Sequence, residues 1–269
     1  MWNWTLTDYK ANLFARQLTI SLEKKGLKVY PDINTGWYYD DKLGQKYLFE
    51  AIKAPFVKSF VFFSKEEAFA WISKTIVKRA FGRGFPLYTK LLDLKQRIWV
   101  LKRDKDVNAL ISLSKGIVKF FLPKGEMALL PRQKGYAYFQ EFVPNNQFDD
   151  RIIIIGERAL AIRRFNRKND FRASGSGIIE YDPKLFNIKI IEIAFKVSQN
   201  IDSQLNAFDF IYDQQGNPLI VEISYAFAAG PVYDACPGYW DKQLNWTETK
   251  INPQFFIIED FINSLVQEK

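Results

Sequence analysis

Apolar residues at helical spacing open the chain: Leu13, Phe14, Leu18 and Leu22 recur along residues 8–25, and Gly26 supplies the stop. Residues 28–31 read as a short strand. Asp40 is placed to cap a second helix over residues 41–52, with Leu43, Tyr47 and Leu48 on its apolar side. Residues 57–63, rich in β-branched and aromatic side chains, read as a buried strand, and residues 65–73 as a helix. Residues 74–122 read as mainly helical, broken near Gly82-Arg83-Gly84-Phe85-Pro86. After Gly135 the period changes to that of strands. Residues 136–143, 151–155 and 159–165 are strand-like, the last two joined by a tight turn at Gly156-Glu157-Arg158. Residues 170–177 form a Gly/Ser loop and residues 184–199 carry a helical period. Two further strands, 206–212 and 218–225, flank Gln214-Gln215-Gly216-Asn217. No internal repeat or low-complexity linker interrupts the series.

The last hairpin carries the clearest chemistry. Folded about the midpoint between Gln215 and Gly216, it sets Asp209 directly opposite Glu222 on one face. Cross-strand Cβ atoms lie ~4.5–5.5 Å apart, where like charges are destabilising unless neutralised. The other face carries Phe208, Phe210 and Tyr212 against Leu219, Val221 and Ile223, a set that belongs in a core. Ile211 and Ile220 accompany the acids, so both strands read as interior. Two acids facing each other there require a hard cation, arginine partners or a shared proton.

Composition narrows that choice. None of the 269 residues is a histidine, which excludes Ser-His-Asp and Cys-His nucleophile systems, an imidazole base and His-ligated zinc. The lone Cys236 excludes an internal disulfide and a Cys-rich metal site. Oxygen-liganded Mg²⁺ or Mn²⁺ is therefore the natural cation for Asp209 and Glu222, with an arginine bridge or shared proton as the alternative. At 48% hydrophobic and 16% aromatic residues the chain is globular, long enough for one large or two small domains. Its start, Met1-Trp2-Asn3-Trp4, lacks the regions of a signal peptide, and no apolar run approaches the ~18 residues of a membrane span. A cytoplasmic protein without an integral span is expected.

The net charge is +8, and between Lys74 and Lys105 ten basic residues stand against Asp93 and Asp104, so this segment carries the whole excess. A solvated helical face and attraction to an anionic partner both fit it. Arg163, Arg164 and Arg167 end a strand. Arg172 precedes Ser174-Gly175-Ser176-Gly177, whose backbone N–H groups can cradle a phosphate. With the paired carboxylates, these groups read as a metal–nucleotide site.

In this combination the residues resemble the ATP-grasp superfamily, and within it the members encoded among bacterial surface-polysaccharide genes. That family ends its nucleotide site with an Asp strand followed by a Glu-x-Asn strand. Ala207-Phe208-Asp209-Phe210 and Val221-Glu222-Ile223-Ser224 match it, implying Asp209 and Glu222 as Mg²⁺ ligands and Ser224, in place of Asn, as the third. Tyr138-Phe139-Gln140-Glu141-Phe142-Val143 resembles the inter-lobe hinge that holds adenine, implying ATP contacts at Gln140, Glu141 and Val143. Asp149 matches the ribose-binding carboxylate, Arg151 shares its strand face, and Arg164 joins the ATP-binding set. Asp170-Phe171-Arg172-Ala173-Ser174-Gly175 resembles the family's Phe-Arg-x-Asn loop, implying Arg172 as the catalytic arginine near the transferring phosphate. Asp41-Lys42 matches the Asp-Lys that opens the N-lobe, where the lysine contacts ATP phosphate.

The fold implied by the resemblance is α/β (α+β): an ATP-grasp fold, two lobes of antiparallel sheet plus helices gripping nucleotide. Residues 1–40 correspond to a truncated preceding segment, 41–139 to the N-lobe with a basic helical insertion, and 140–269 to the C-lobe with the Mg–nucleotide site. Relatives insert a strand with a second lysine and a Gly-rich lid where Trp71-Ile72-Ser73-Lys74-Thr75 here runs straight into residues 76–81. Either this chain has lost the lid, or a lid segment is missing between Thr75 and Ile76; the second reading is favoured. The activity implied is that of an ATP- and Mg-dependent carboxylate–amine ligase forming a C–N bond through an acyl phosphate. Its substrate is a component of a surface polysaccharide, and its partners are small-molecule or glycan-linked carboxylates and amines. Tyr225, Phe227, Tyr233, Tyr239, Trp240 and Trp246 read first as packing residues and second as a sugar platform. Phosphoryl transfer without ligation and a nucleotide-binding pseudoenzyme remain as alternatives. A nucleic-acid partner is not expected, there being no helix-turn-helix, zinc-finger or RNP pattern. Peripheral membrane contact and a homodimer stay open.

Overall fold

The computed structural model describes residues 9–74, 136–167, 173, 175–227 and 231–266. The basic segment beyond Lys74, the Thr75–Ile76 seam and half of the Gly/Ser loop, Arg172 included, lie outside the described residues. Two compact units are present, one of residues 1–3, 16–57 and 143–269, the other of residues 4–15 and 58–142.

Helix α1 (Tyr9–Lys24) stops at Gly26, which takes φ +82° while Leu27 N–H donates to the Leu22 carbonyl. Among its described side chains Ala15 and Thr19 are buried, and Phe14, expected on the apolar face, is 60% exposed. No strand forms at residues 28–31. Pro31 has no N–H to give a ladder, and the Gln204 amide serves instead, donating to Val29 O at 3.0 Å and accepting from Asp32 N–H at 2.9 Å. A short helix, α2 (Ile33–Gly36), follows, capped by Asp32. Helix α3 (Lys42–Ala51) is capped by Asp41 rather than Asp40: Asp41 accepts from Leu43 and Gly44 N–H, and Asp40 sits at φ +48°. The buried positions of α3 are Gln45, Lys46 and Phe49, in place of the expected Leu43, Tyr47 and Leu48. Those polar side chains are satisfied, Gln45 by the Ile223 backbone and Lys46 by Glu50 at 2.7 Å.

In the second unit β1 (Ser59–Phe62) pairs antiparallel with β2 (Ala137–Gln140), Ser59 opposite Gln140. Helix α4 (Lys65–Lys74) lays Ala68 and Trp71 on Phe60, Phe62 and Phe139.

The first unit is built on a larger antiparallel sheet. Its strands are β3 (Phe148–Ile155), β4 (Arg158–Phe165), β5 (Ile179–Glu180), β6 (Leu205–Tyr212), β7 (Pro218–Ser224), β8 (Gly238–Trp240) and β9 (Trp246–Glu248). The order is β7-β6-β3-β4-β8-β9, with β5 also on β4. Residues 152–155 show no polar alternation because both faces of β3 are covered. Ile152 and Ile154 join Phe208, Phe210 and helix α5 (Ile188–Asn200) on one face; Ile153 and Ile155 join Leu160 and Ile162 on the other. The second face also receives Tyr233 of α6 (Pro231–Asp234) and Phe256 of α7 (Pro253–Val266).

Asp209 does pair with Glu222, but the register shifts immediately beyond, so Phe210 faces Ile220 and Val221 is the extra residue of a bulge. The bulge reverses the facing expected farther along β7. Ile220 is fully buried with Phe208, Phe210 and Ile223, whereas Leu219 and Val221 are only half-buried. The free edge of β7 is covered: Gln45 bonds Ile223, and residues 55–57 exchange hydrogen bonds with Ile220.

Candidate functional site

Strand alternation places Asp149 and Arg151 of β3, Arg164 of β4, Asp209 of β6 and Glu222 of β7 on one face of the sheet. In register, Asp149 faces Arg164, Arg151 faces Asp209, and Asp209 faces Glu222. Arg151 donates Nε and Nη2 to Asp209 Oδ1 and Oδ2 at 2.6 and 2.8 Å. Arg164 does the same to Asp149 at 2.6 and 2.8 Å, and its Nη2 also lies 2.9 Å from Asp209 Oδ2. Lys42, first residue of α3, reaches Glu222 Oε2 at 2.9 Å. Three acids are thus matched by three fixed cations. Bidentate guanidinium–carboxylate pairing of this kind combines charge with orientation.

The two carboxylates that share Arg164 titrate in opposite directions. For Asp209, burial favours the neutral form, but Arg151 and Arg164 outweigh it and hold the group well below the usual carboxylate range. For Asp149, burial and the nearby Asp209 charge prevail over the pairing with Arg164, and its carboxyl is pushed up to about 6. Arg164 is shared between the two acids, so its single charge offsets Asp149 only in part.

The opposite face of the same strands carries a second ion pair. Arg163 donates to Asp150 at 2.7 and 2.9 Å and to Leu185 O, and stacks 3.8 Å over the Phe148 ring. Tyr212 O–H donates to Asp150 at 2.5 Å. Neighbouring residues 149/150 and 163/164 therefore send salt bridges to both faces, which fixes the β3–β4 register beneath the site.

Of the other residues expected at the site, Gln140 ends β2 in the second unit, and Glu141 there donates its N–H to Lys58 O. Val143 belongs to the first unit, where its carbonyl accepts from Asn146 Nδ2 at 3.3 Å. Ser224 Oγ donates to Ala226 O at 3.1 Å. Arg172 lies outside the described residues, although Arg167 Nη2 would stand 2.7 Å from a Cβ at Gly175, which takes φ +75°. Tyr233, read from the sequence only as a packing or platform aromatic, places its hydroxyl 3.4 Å from Arg151 Nη1. Asn146 carried no signal in the sequence and pins its loop by bonding both Tyr212 N–H and Tyr212 O. Of the six aromatics read as packing or platform, Tyr225, Tyr233 and Trp240 are buried; Phe227 packs on Tyr233, Tyr239 on Phe256, and Trp246 on Trp240.

The alternative of arginine partners for the facing acids is the one this structure shows, Arg151 and Arg164 on Asp209 and Lys42 on Glu222. The oxygen donors also suit a hard divalent cation, which would have to displace these partners. Asp209 and Glu222 offer oxygen only, from facing positions of adjacent strands, and the Glu222 side chain is 38% exposed. Among the described residues no third acidic, His or Cys side chain completes a metal-binding group. Two carboxylates completed by phosphate and water suit Mg²⁺ better than a protein-only cage. No described helix is long and apolar enough to cross a membrane.

No known family profile and no curated protein matches the sequence, but solved structures match the fold. The ATP-grasp ligase PsnB in complex with a minimal precursor is 12% identical, with a TM-score of 0.51 over 97% of this chain and 71% of that one. Macrocyclase MdnC bound with precursor peptide MdnA from Microcystis aeruginosa is 14% identical, with a TM-score of 0.45 over 84% and 64%. N5-carboxyaminoimidazole ribonucleotide synthetase from Thermotoga maritima is 16% identical, with a TM-score of 0.44 over 78% and 48%. In its complex with PsnA2 and AMPPNP, PsnB is spanned by this chain over 60% of its length.

Proposed function

Proceeding from an ATP-grasp-like fold of mixed α/β elements and antiparallel sheets, we propose that this chain is an ATP- and Mg-dependent carboxylate–amine ligase. The observation that carries the reading is the facing pair Asp209–Glu222, set among Arg151, Arg164 and Lys42 on one sheet face. Transfer of a γ-phosphoryl group to a carboxylate oxygen yields ADP and an acyl phosphate. An amine nitrogen then attacks the carbonyl carbon and expels inorganic phosphate, leaving an amide. Neither step needs an imidazole. Both need several phosphate oxygens held and neutralised at once.

Asp209 and Glu222 would hold the magnesium ion, with the Ser224 hydroxyl beside them; when bound, the ion neutralises charge on the phosphate oxygens. Arg151, Arg164 and Lys42 are fixed cations that exchange carboxylate partners for phosphate. Asp149 orients Arg164 and is the carboxylate proposed for the ribose hydroxyls. Gln140, Glu141 and Val143 are proposed to hold the adenine, and Arg172 the transferring phosphoryl group, on the motif resemblance. The same resemblance supports a uronic-acid or amino-sugar component of a surface polysaccharide as substrate.

Calorimetric titration with Mg–ATP and ADP release in the presence of hydroxylamine test this reading. An acyl phosphate is trapped as a hydroxamate, whereas simple phosphoryl transfer gives ADP and a phosphorylated acceptor. Asp209→Asn and Glu222→Gln are each expected to abolish Mg–ATP binding or turnover. Unchanged binding in both variants sinks the assignment.

A further inference from the structure

The charged face of the larger sheet ends at Arg151. In register Arg151 faces Asp209 and Ile162; two residues farther along β3 the same face carries Ile153 against Ala207 and Leu160. Tyr233 of α6 stands at that boundary. Its ring is buried in the apolar cluster with Ile153, Ala207 and Cys236, and Phe227 meets it edge-on at 5.5 Å. Cys236 N–H donates to the Tyr233 carbonyl at 3.1 Å, and Cys236 Sγ reaches Ala161 O at 3.7 Å, which ties this turn to β4. A phenylalanine would fill the cluster equally well. What the tyrosine adds is a hydroxyl 3.4 Å from Arg151 Nη1.

A guanidinium carries donors only, so in this contact the phenolic oxygen is the acceptor and the hydroxyl proton has still to be placed. Among the described residues no group accepts it. A buried tyrosine hydroxyl ordinarily finds such a partner. Asp209 engages Nε and Nη2 of the same guanidinium, which leaves Nη1 a second N–H to give. Two donors 3.4 Å apart can both reach one oxygen at about 2.8 Å, and beside a guanidinium that oxygen is best anionic. We propose that Tyr233 is a further ligand-binding residue, whose hydroxyl converges with Arg151 Nη1 on a single phosphate oxygen of the nucleotide. The inference rests on the reading of Arg151 as a phosphate-binding cation and names the group that completes its grip. The phenolic oxygen accepts from Arg151 while its proton goes to the phosphate, so the guanidinium stays oriented when Asp209 gives it up. A hydrogen bond to a charged group is worth a factor of about ten to a hundred in binding.

Magnesium tripolyphosphate is the probe, since it offers phosphate oxygens without a base or ribose. Calorimetric titration is expected to give a dissociation constant about tenfold or more higher for Tyr233→Phe than for the parent, with unchanged far-UV circular dichroism. That loss should shrink in an Arg151→Met background, as a double-mutant cycle requires of two groups gripping one oxygen. Fluorine NMR of the chain carrying 3-fluorotyrosine at position 233 supplies a readout that packing does not move and that holds even if Tyr233→Phe fails to fold. Donation of the hydroxyl proton to phosphate should shift that resonance on saturation. An affinity of Tyr233→Phe within about twofold of the parent overturns the proposal. So does an unmoved fluorine resonance, or a parent that does not bind tripolyphosphate. Binding that depends on Tyr233 without hydroxamate formation counts against the ligase reading and upholds the role of the hydroxyl. Hydroxamate formation with tripolyphosphate affinity indifferent to Tyr233→Phe does the reverse.

Discussion

Replacing Arg151 by methionine removes the guanidinium that meets both oxygens of Asp209 while keeping most of the apolar stem. Asp209 and Arg151 are 15% and 23% exposed at their side chains, so water screens the pair little. Two charge-assisted hydrogen bonds at 2.6 and 2.8 Å are lost, each worth about 1.5–3 kcal/mol. Breaking a buried pair by removing one partner costs about 3–5 kcal/mol, because the other charge is left behind. Arg164 still touches Asp209 at 2.9 Å, so the lower end, about 3 kcal/mol, is expected. In urea, with a slope near 2 kcal/mol per molar, that lowers the midpoint by about 1.5 M. Adding Asp209→Asn to the variant should cost much less than it does alone, giving a coupling energy of about 1.5 kcal/mol or more in the double-mutant cycle. A loss under about 1 kcal/mol for Arg151→Met, with additive single effects, refutes the idea that this face is held by buried pairing.

Stability should depend on pH through Asp149. Its folded value of about 6 lies above the unfolded 3.8, so the native state binds the proton more tightly and stability falls as pH rises through that window. The fall should vanish in Asp149→Asn, and urea midpoints measured from pH 4 to 7 check it. Asp209, shifted the other way, contributes stability that is lost only as pH drops below the ordinary carboxylate range. Gly156→Ala is expected to lower the thermal midpoint by several degrees: the residue sits at φ +55°, and a Cβ would stand 2.3 Å from Asp260 Oδ2. Gln45→Leu leaves Ile223 N–H and C=O without their partner and should cost about 1–3 kcal/mol, with faster hydrogen exchange at Ile223.

The Asp209–Glu222 pairing was legible because a four-residue polar turn between two apolar runs fixes a hairpin register with little ambiguity. The bulge at Val221 was not, since β7 is an edge strand whose far side meets residues 55–57 and Gln45, contacts from distant sequence. The same cause misplaced the buried faces of α1 and α3, where Thr19 and Gln45 go inward and Phe14 and Tyr47 outward. Periodicity marks an apolar stripe but cannot foresee a buried amide satisfied across the fold. Alternation along β4 already separates Arg163 from Arg164. Only the structure assigns them to Asp150 and Asp149. The ATP-grasp-like fold itself followed from motif combination rather than from any one element.

Long cationic side chains are usually costly partners, because a lysine or arginine gives up roughly 2 kcal/mol of rotamer entropy when it is immobilised. Here Arg151, Arg164 and Lys42 are already immobilised, by Asp209, Asp149 and Glu222, when the chain folds. On the proposed function, an arriving polyanion would meet cations whose freedom was surrendered during folding, with the acids as place-holders for the ligand. Ligand affinity would then be set less by ordering than by how readily the carboxylates let go.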